Sequence, residues 1–319
     1  IFPGAQIAIV QKGGMVFNGG FGYQTYDAGS PQVTEKTMYD IASLTKVVAA
    51  VPVTMKLISQ KKLSLDQSIQ QFYPKFTGKW KENVTIRHLM THSSGLSDYY
   101  PFYQNGNINN KVDIQQFILK SELEYEPGSQ SQYSDLGFIL LSSIIEKVSR
   151  KPLNRLAKNL IFQPLSMKNT QYNPPEELRA KIAPTELDTV YRHRLLQGEV
   201  HDENTYLMEG VSGHAGVFST AEDIAKYAQM WVDGGVWQGK RLFTEDQIKE
   251  FTTLQNLPKG SDFALGWDTP SQNGKSIAGD YFTPGSFGHL GFTGTSIWID
   301  PNQEIIIVLL TNRVHPSRK

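Results

Sequence analysis

Ser43 to Gln60 runs SLTKVVAAVPVTMKLISQ. Beyond Lys46 the stretch is too apolar for a solvated helix face, so it predicts a helix buried in a core, with Pro52 inside it as a kink. Upstream the pattern changes to strands: alternating apolar stretches at Gln6–Val10 and Met15–Phe21 flank Lys12-Gly13-Gly14 and read as a β-hairpin. Downstream, from Lys61 to about Glu209, helical patterns alternate with long loops rich in Asn, Gln, Tyr and Pro. Within that region Asp135–Ser149 places apolar residues at 136, 139, 140, 144 and 145, one face of a helix. Ser219-Thr220-Ala221-Glu222-Asp223 is a capping-box start for a helix to about Trp231. Strand-like segments return at Phe263–Trp267, Ser296–Ile299 and Glu304–Leu310, with Asp300-Pro301-Asn302-Gln303 as the turn between the last two. Strands at both ends with helices between predict an α/β fold of the α+β type. The expected form is an antiparallel sheet flanked by helices, with residues 1–60 and 210–319 forming a discontinuous sheet domain and 61–209 a mainly helical insertion.

Composition narrows the function classes. The chain has 319 residues, and its 31 Lys plus Arg balance 31 Asp plus Glu. Nucleic-acid binding by bulk counterion release and polybasic membrane attachment both lack the basic excess they need. Cysteine is absent, which removes disulfides, thiolate metal sites, iron–sulfur clusters and a Cys nucleophile. No apolar run reaches the ~18–20 residues of a membrane span. The sequence opens on Ile1 and stops just after a strand-like run, so a catalytic body within a longer polypeptide is expected, with fusion to another domain left open.

Ser43 and Lys46 form Ser-x-x-Lys at the start of the apolar helix. Residues three apart share a helical face, so the amine reaches the hydroxyl, and the helix N-terminus stabilises a developing oxyanion. The same spacing recurs at Ser59–Lys62, but in a polar Gln-Lys-Lys setting. Tyr133-Ser134-Asp135 stands just before a helix, and a similar Tyr103-Gln104-Asn105 shows that this pattern alone is weak. Gly288-His289-Leu290-Gly291-Phe292-Thr293-Gly294 precedes a strand, where glycines let backbone approach a ligand closely. Two further segments stand out, residues 85–96 (TIRHLMTHSSGL) and 213–223 (GHAGVFSTAED).

In order, separation and flanks these motifs resemble the serine β-lactamase and penicillin-binding protein family, in its class C-like branch with related esterases and D,D-carboxypeptidases. The resemblance runs from Pro3-Gly4-Ala5 to Leu309. It implies a β-lactamase/transpeptidase-like fold and acyl transfer through a serine ester, with Ser43 as nucleophile and Lys46 and Tyr133 as the proton-handling pair. It implies an oxyanion hole of the Ser43 and Phe292 backbone amides, and substrate contacts from Asp135, His289, Gly291 and Thr293. Muropeptides, esters or β-lactams are the implied substrates; no cofactor and no metal are expected. A periplasmic or extracellular location follows from the same resemblance. A non-turnover penicillin- or peptidoglycan-binding sensor is the rival from a different class.

Two departures from the family pattern carry expectations. Asp135 stands where Asn is usual; its carboxylate should keep Lys46 charged, which would lower the Tyr133 pKa and leave Tyr133 as the acylation base. His289-Leu290 replaces Lys-Thr, so weak β-lactam hydrolysis is expected, with carboxylate recognition that improves as His289 gains a proton. No Glu-x-x-x-Asn occurs that could supply a class A-type deacylation glutamate. His88 and His92 have zinc-compatible spacing but no adjoining Glu, so hydrogen bonding within the insertion is the expected role. His214 either lines the cleft as a supporting residue or packs beneath it. His201-Asp202-Glu203-Asn204 reads as a structured polar loop rather than a divalent-cation or substrate loop, Trp267 and Trp298 as core, and Tyr99, Tyr100 and Tyr103 as core or a substrate-facing wall.

Overall fold

Lys12 and Gly13 both take positive φ, 50° and 73°, the geometry of a two-residue hairpin turn whose twist matches its strands. They join β1 (Gly4–Gln11) to β2 (Gly14–Gly22) as expected. The computed structural model describes residues 2–271 and 276–319; Ile1, the first residue of the expected sheet domain, and residues 272–275 lie outside the described residues. Near the C-terminus, β3 (Phe287–Gly291), β4 (Thr295–Asp300) and β5 (Ile305–Thr311) follow one another antiparallel. The Asp300 carboxylate accepts from the Asn302 and Gln303 amides and closes the β4–β5 turn. The five strands form one antiparallel sheet in the order β3-β4-β5-β1-β2. Its centre pairs the two ends of the chain, Ala5 opposite Thr311 and Gln11 opposite Ile305.

Strand alternation gives the sheet two unlike faces. Ala8, Val10, Ile297, Ile299, Ile306, Val308 and Leu310 are buried. Along the same strands Ile7, Ile9, Ile307 and Leu309 are only half-buried. The buried face meets the helical layer. After Ser43 the chain enters a π-helical turn, Lys46–Ala50, and continues as α1 (Val51–Ser59). Pro52 falls in the first turn of α1, directly after the π-helical turn. α2 (Asp135–Ser149) starts at Ser134, whose hydroxyl accepts from the Gly137 amide, and packs on α1. α3 (Ala221–Val232) starts at Thr220 and lies against β1 and β5. One contiguous buried cluster joins Ala8 and Ile297 of the sheet to Val47, Phe138 and Ile224 of the helices.

One sequence expectation changes. Phe263–Trp267 is not a strand: Gly266 takes φ 87°, and its amide donates to the carbonyls of Ala264 and Met90. Only an isolated bridge remains there, Phe263 with Asp268, and Asp268 in turn bridges Gly288 on the outer edge of β3. The segment ending at Gly294 precedes β4 as expected, and its His289-Leu290-Gly291 part itself lies within β3, the edge strand.

Candidate active site

The backbone before Ser43 is held from three directions. Tyr39–Asp40 pairs with Val217–Ser219, and the Ile41 amide donates to the Val217 carbonyl at 3.0 Å. The buried Asp40 carboxylate accepts from the amides of Ala42 (2.8 Å) and His201 (2.7 Å). From the β3–β4 hairpin, Thr293 donates to the Asp40 carbonyl at 2.7 Å and Thr295 to the Ile41 carbonyl at 3.1 Å. These contacts hold Ala42 at φ 45°, a left-handed conformation costly for a residue with a Cβ. Ser43 follows, half-buried and facing a cleft of about 800 Å³.

The Lys46 side chain is fully buried, with its ammonium 3.1 Å from Ser43 Oγ, 2.7 Å from Asp135 Oδ1 and 3.4 Å from the His214 carbonyl. Burial alone would push its pKa down; Asp135 and Tyr133 outweigh that, and the net direction is up. Lys46 is therefore an ammonium at neutral pH, as the Asp135 departure led us to expect. Its Nζ lies 4.6 Å from the centre of the Tyr133 ring. Burial drives the Tyr133 hydroxyl upward, and the opposing pull of Lys46 and Ser43 does not cancel it. The expected lowering of Tyr133 is thus reversed: the resting residue is a phenol.

His92 is a residue whose place the sequence did not reveal. Its ring packs 4.5 Å from that of Tyr133 and 4.8 Å from that of Phe263, and its Nδ1 accepts from the Ser134 amide. Burial, with Lys46 and His289 nearby, keeps it neutral. His88 stays remote, with its Nδ1 at the Thr85 amide. Both histidines make hydrogen bonds within the 61–209 segment, the role expected of them, and His92 is the one beside the site; among the described residues no group of His, Asp and Glu is placed to hold a metal ion.

β3 forms the opposite wall through His289, Leu290 and Gly291. A Cβ on Gly291 would lie 2.0 Å from Thr295 Oγ1 and 2.6 Å from the Ile41 carbonyl, so only glycine lets the strand edge close on the nucleophile loop. His289 is buried, and burial and Lys46 push it down to about 3. Acidification to pH 5 does not charge it, so the expected gain in carboxylate recognition loses its source. Thr293, expected to touch substrate, is fully buried beneath the cleft and spends its hydroxyl on Asp40. The Ser43 and Phe292 amides donate to no protein acceptor among the described residues, and both residues line the cleft.

His214 takes both roles left open for it. It lines the cleft and also packs beneath, with Nε2 2.9 Å from Asp202, Nδ1 2.8 Å from Ser212 and its carbonyl turned to Lys46. Asp202 caps the short helix Glu203–Leu207, so the 201–204 segment is structured as expected, and its His201, Asp202 and Glu203 also line the cleft. Tyr99 and Tyr103 line the cleft, whereas Tyr100 packs on Phe102 and Phe117. Trp267 and Trp298 are core. The second Ser-x-x-Lys is a decoy: Ser59 donates to the Met55 carbonyl of its own helix. Arg313, Arg318, Phe263 and Asp268 also line the cleft. They lie in no motif and meet only through tertiary packing.

A serine at a helix start, a buried lysine bonded to it and a cleft-facing tyrosine across from both, on this sheet-and-helix frame, define a serine hydrolase. The chain belongs to the beta-lactamase family, whose model matches residues 2–319. It is 32% identical to an N-acetylmuramyl-L-alanine amidase of Bacillus subtilis, over 98% of this chain and 78% of that protein. It is 33% identical to a putative D-alanyl-D-alanine carboxypeptidase of Salmonella agona, over 98% and 79%. Among solved structures, the octameric penicillin-binding protein homologue from Pyrococcus abyssi superposes with a TM-score of 0.77 at 25% identity, covering 99% of this chain and 71% of that one. EstCE1, a hydrolase with promiscuous acyltransferase activity, shares the fold at a TM-score of 0.75 and 21% identity, covering 98% and 89%.

Proposed function

We propose that the protein hydrolyses amide or ester bonds in peptidoglycan-type substrates built on D-amino acids, through an acyl-enzyme on Ser43. The observation that carries this reading is the buried Lys46 ammonium 3.1 Å from Ser43 Oγ and locked by Asp135. Ser43 Oγ attacks the carbonyl carbon, and its proton passes into the Lys46/Tyr133 pair. The oxyanion is received by the Ser43 and Phe292 amides. Tyr133 returns the proton to the leaving group, the carbonyl–heteroatom bond breaks, and water then releases the acyl group. Because Lys46 is an ammonium and Tyr133 a phenol at rest, the reactive form is the one that has lost a proton from this pair. Asp135, His289 and Gly291 form the substrate walls in this reading; the buried Thr293 is removed from them.

An esterase with incidental β-lactam reactivity is the second reading. It is favoured by Leu290 and the neutral His289, which leave this part of β3 without the fixed charge that would seat a penicillin carboxylate. The catalytic side chains come from both the sheet part and the helical insertion, and the relatives named for cell-wall substrates support a periplasmic or extracellular location. No helix among the described residues is long and apolar enough to cross a membrane.

The test is intact-mass analysis of wild type and Ser43→Ala after incubation with a reporter penicillin, an aryl ester and a D-Ala-D-Ala peptide. Adducts in wild type alone, followed by product release, support the proposal. Adducts that never turn over make the protein a sensor, and adducts that persist in Ser43→Ala rule out Ser43 as the nucleophile.

A further inference from the structure

The two ends of β3 set different groups against the cleft. Asp268 bridges β3 at Gly288, with both backbone hydrogen bonds at 2.9 Å, and Phe292 follows the other end of that strand. Four residues of extended chain separate them, about 13 Å. At the Phe292 end stand Arg313, 4.9 Å from the ring, and Arg318, which is paired with Glu186 and Glu203. Among the described residues Asp135, Asp202 and Glu203 also line the cleft, and the acid beside Gly288 is Asp268. It is 8% exposed, and among the described residues its carboxyl has no hydrogen bond or ion pair. The buried Nε2 of His289, one residue along from Gly288, also lacks a partner. A buried polar group costs free energy unless something satisfies it, and a ligand in the cleft is in position to do so.

The Asp268 end is the leaving-group side. Asp268 bridges Phe263, the Phe263 ring packs on His92, and His92 packs on Tyr133, which returns the proton to the departing group in the reading above. We propose that Asp268 sets leaving-group specificity, selecting a departing portion that bears a protonated amine over one that ends in a free carboxylate. This rests on acylation of Ser43 and deepens it, since it disfavours a terminal D-alanine as leaving group and favours an amine-bearing one.

The charge on Asp268 depends on pH within the working range. Burial raises its pKa to about 7, with Lys46 opposing and Asp262 assisting. His289, on the adjoining strand, stays neutral, and Tyr133 stays a phenol. Asp268 is therefore ionised above about pH 7 and protonated below it. Attraction for an ammonium and repulsion of a carboxylate both grow as pH rises from 6 to 8.

The test uses one N-acyl-D-alanyl group joined by amide bonds to D-alanine, propylamine and singly protonated 1,2-diaminoethane. In wild type at pH 8, kcat/KM should favour the diaminoethane substrate over the D-alanine substrate by roughly ten- to hundredfold, with propylamine between. The ratio should shrink at pH 6. Asp268→Asn, which keeps the side-chain shape and removes only the ionisable oxygen, should flatten the ratio at both pH values. Equal rates for the three substrates in wild type, or a ratio unchanged in Asp268→Asn, overturn the role of Asp268 alone. No acylation of Ser43 by any of them overturns the serine-hydrolase chemistry and the Asp268 role with it.

Discussion

Asp135 has two neighbours to serve, the buried ammonium of Lys46 and the open cleft. Its carboxylate opposes the burial that would otherwise strip Lys46 of its proton. Asp135→Asn removes that support, so Lys46 should deprotonate at lower pH. The rising limb of the acylation pH–rate profile should then move toward acid by roughly 1–3 units. Stopped-flow acylation by an aryl ester from pH 5 to 10 checks this, and an unmoved limb would separate Asp135 from proton handling. At this scale the sequence was informative where spacing along a helix dictates contact, as between Ser43 and Lys46. It was silent on Asp268 and Arg313, which reach the cleft from segments with no motif between them, and it marked the segment holding His92 without showing that its ring would pack on Tyr133. It also misjudged Tyr133 and His289, because the degree of burial that moves their pKa values belongs to the packed cleft and not to neighbouring residues.

Among the elements, the β3–β4 hairpin does more than form a wall. Thr293 and Thr295 fasten it to the carbonyls of Asp40 and Ile41, so the strand edge and the nucleophile loop are one unit. Thr293→Val keeps the shape but leaves the buried Asp40 carbonyl without this donor, a loss of about 1–3 kcal/mol. Denaturant unfolding should show it, and kcat should fall with KM unchanged because Thr293 does not line the cleft. A raised KM with unaltered stability would instead restore Thr293 to the substrate wall. The hairpin at Lys12-Gly13 was legible because two left-handed residues need that composition. Phe263–Trp267 was misread as a strand because its apolar run hides Gly266, whose positive φ turns the chain back and delivers Phe263 and Asp268 to the cleft.

For the whole molecule, β1 is the joint between the β2 edge and the three C-terminal strands. Deleting residues 1–10 leaves β2 and β5 without their shared partner and uncovers the apolar face beneath α3. The truncated protein should lose its cooperative thermal transition and its acylation by a reporter penicillin; a sharp transition in calorimetry would show that the remaining strands close the sheet unaided. The sequence disclosed that both ends carry strands. It did not disclose which strand would be the edge, since that depends on pairing across nearly the whole chain.

That pairing also sets a timetable. Ala5 meets Thr311, so β1 finds its central partner only after the whole stretch between them has been made. Contacts this distant in sequence are slow to form. Until β5 arrives, the β1–β2 hairpin presents Ile7, Ile9 and an unpaired strand edge to its surroundings, a surface open to chaperones and to other chains. The nucleophile loop, fastened to the β3–β4 hairpin, waits equally long. Catalytic competence therefore waits until β3, β4 and β5 have been made.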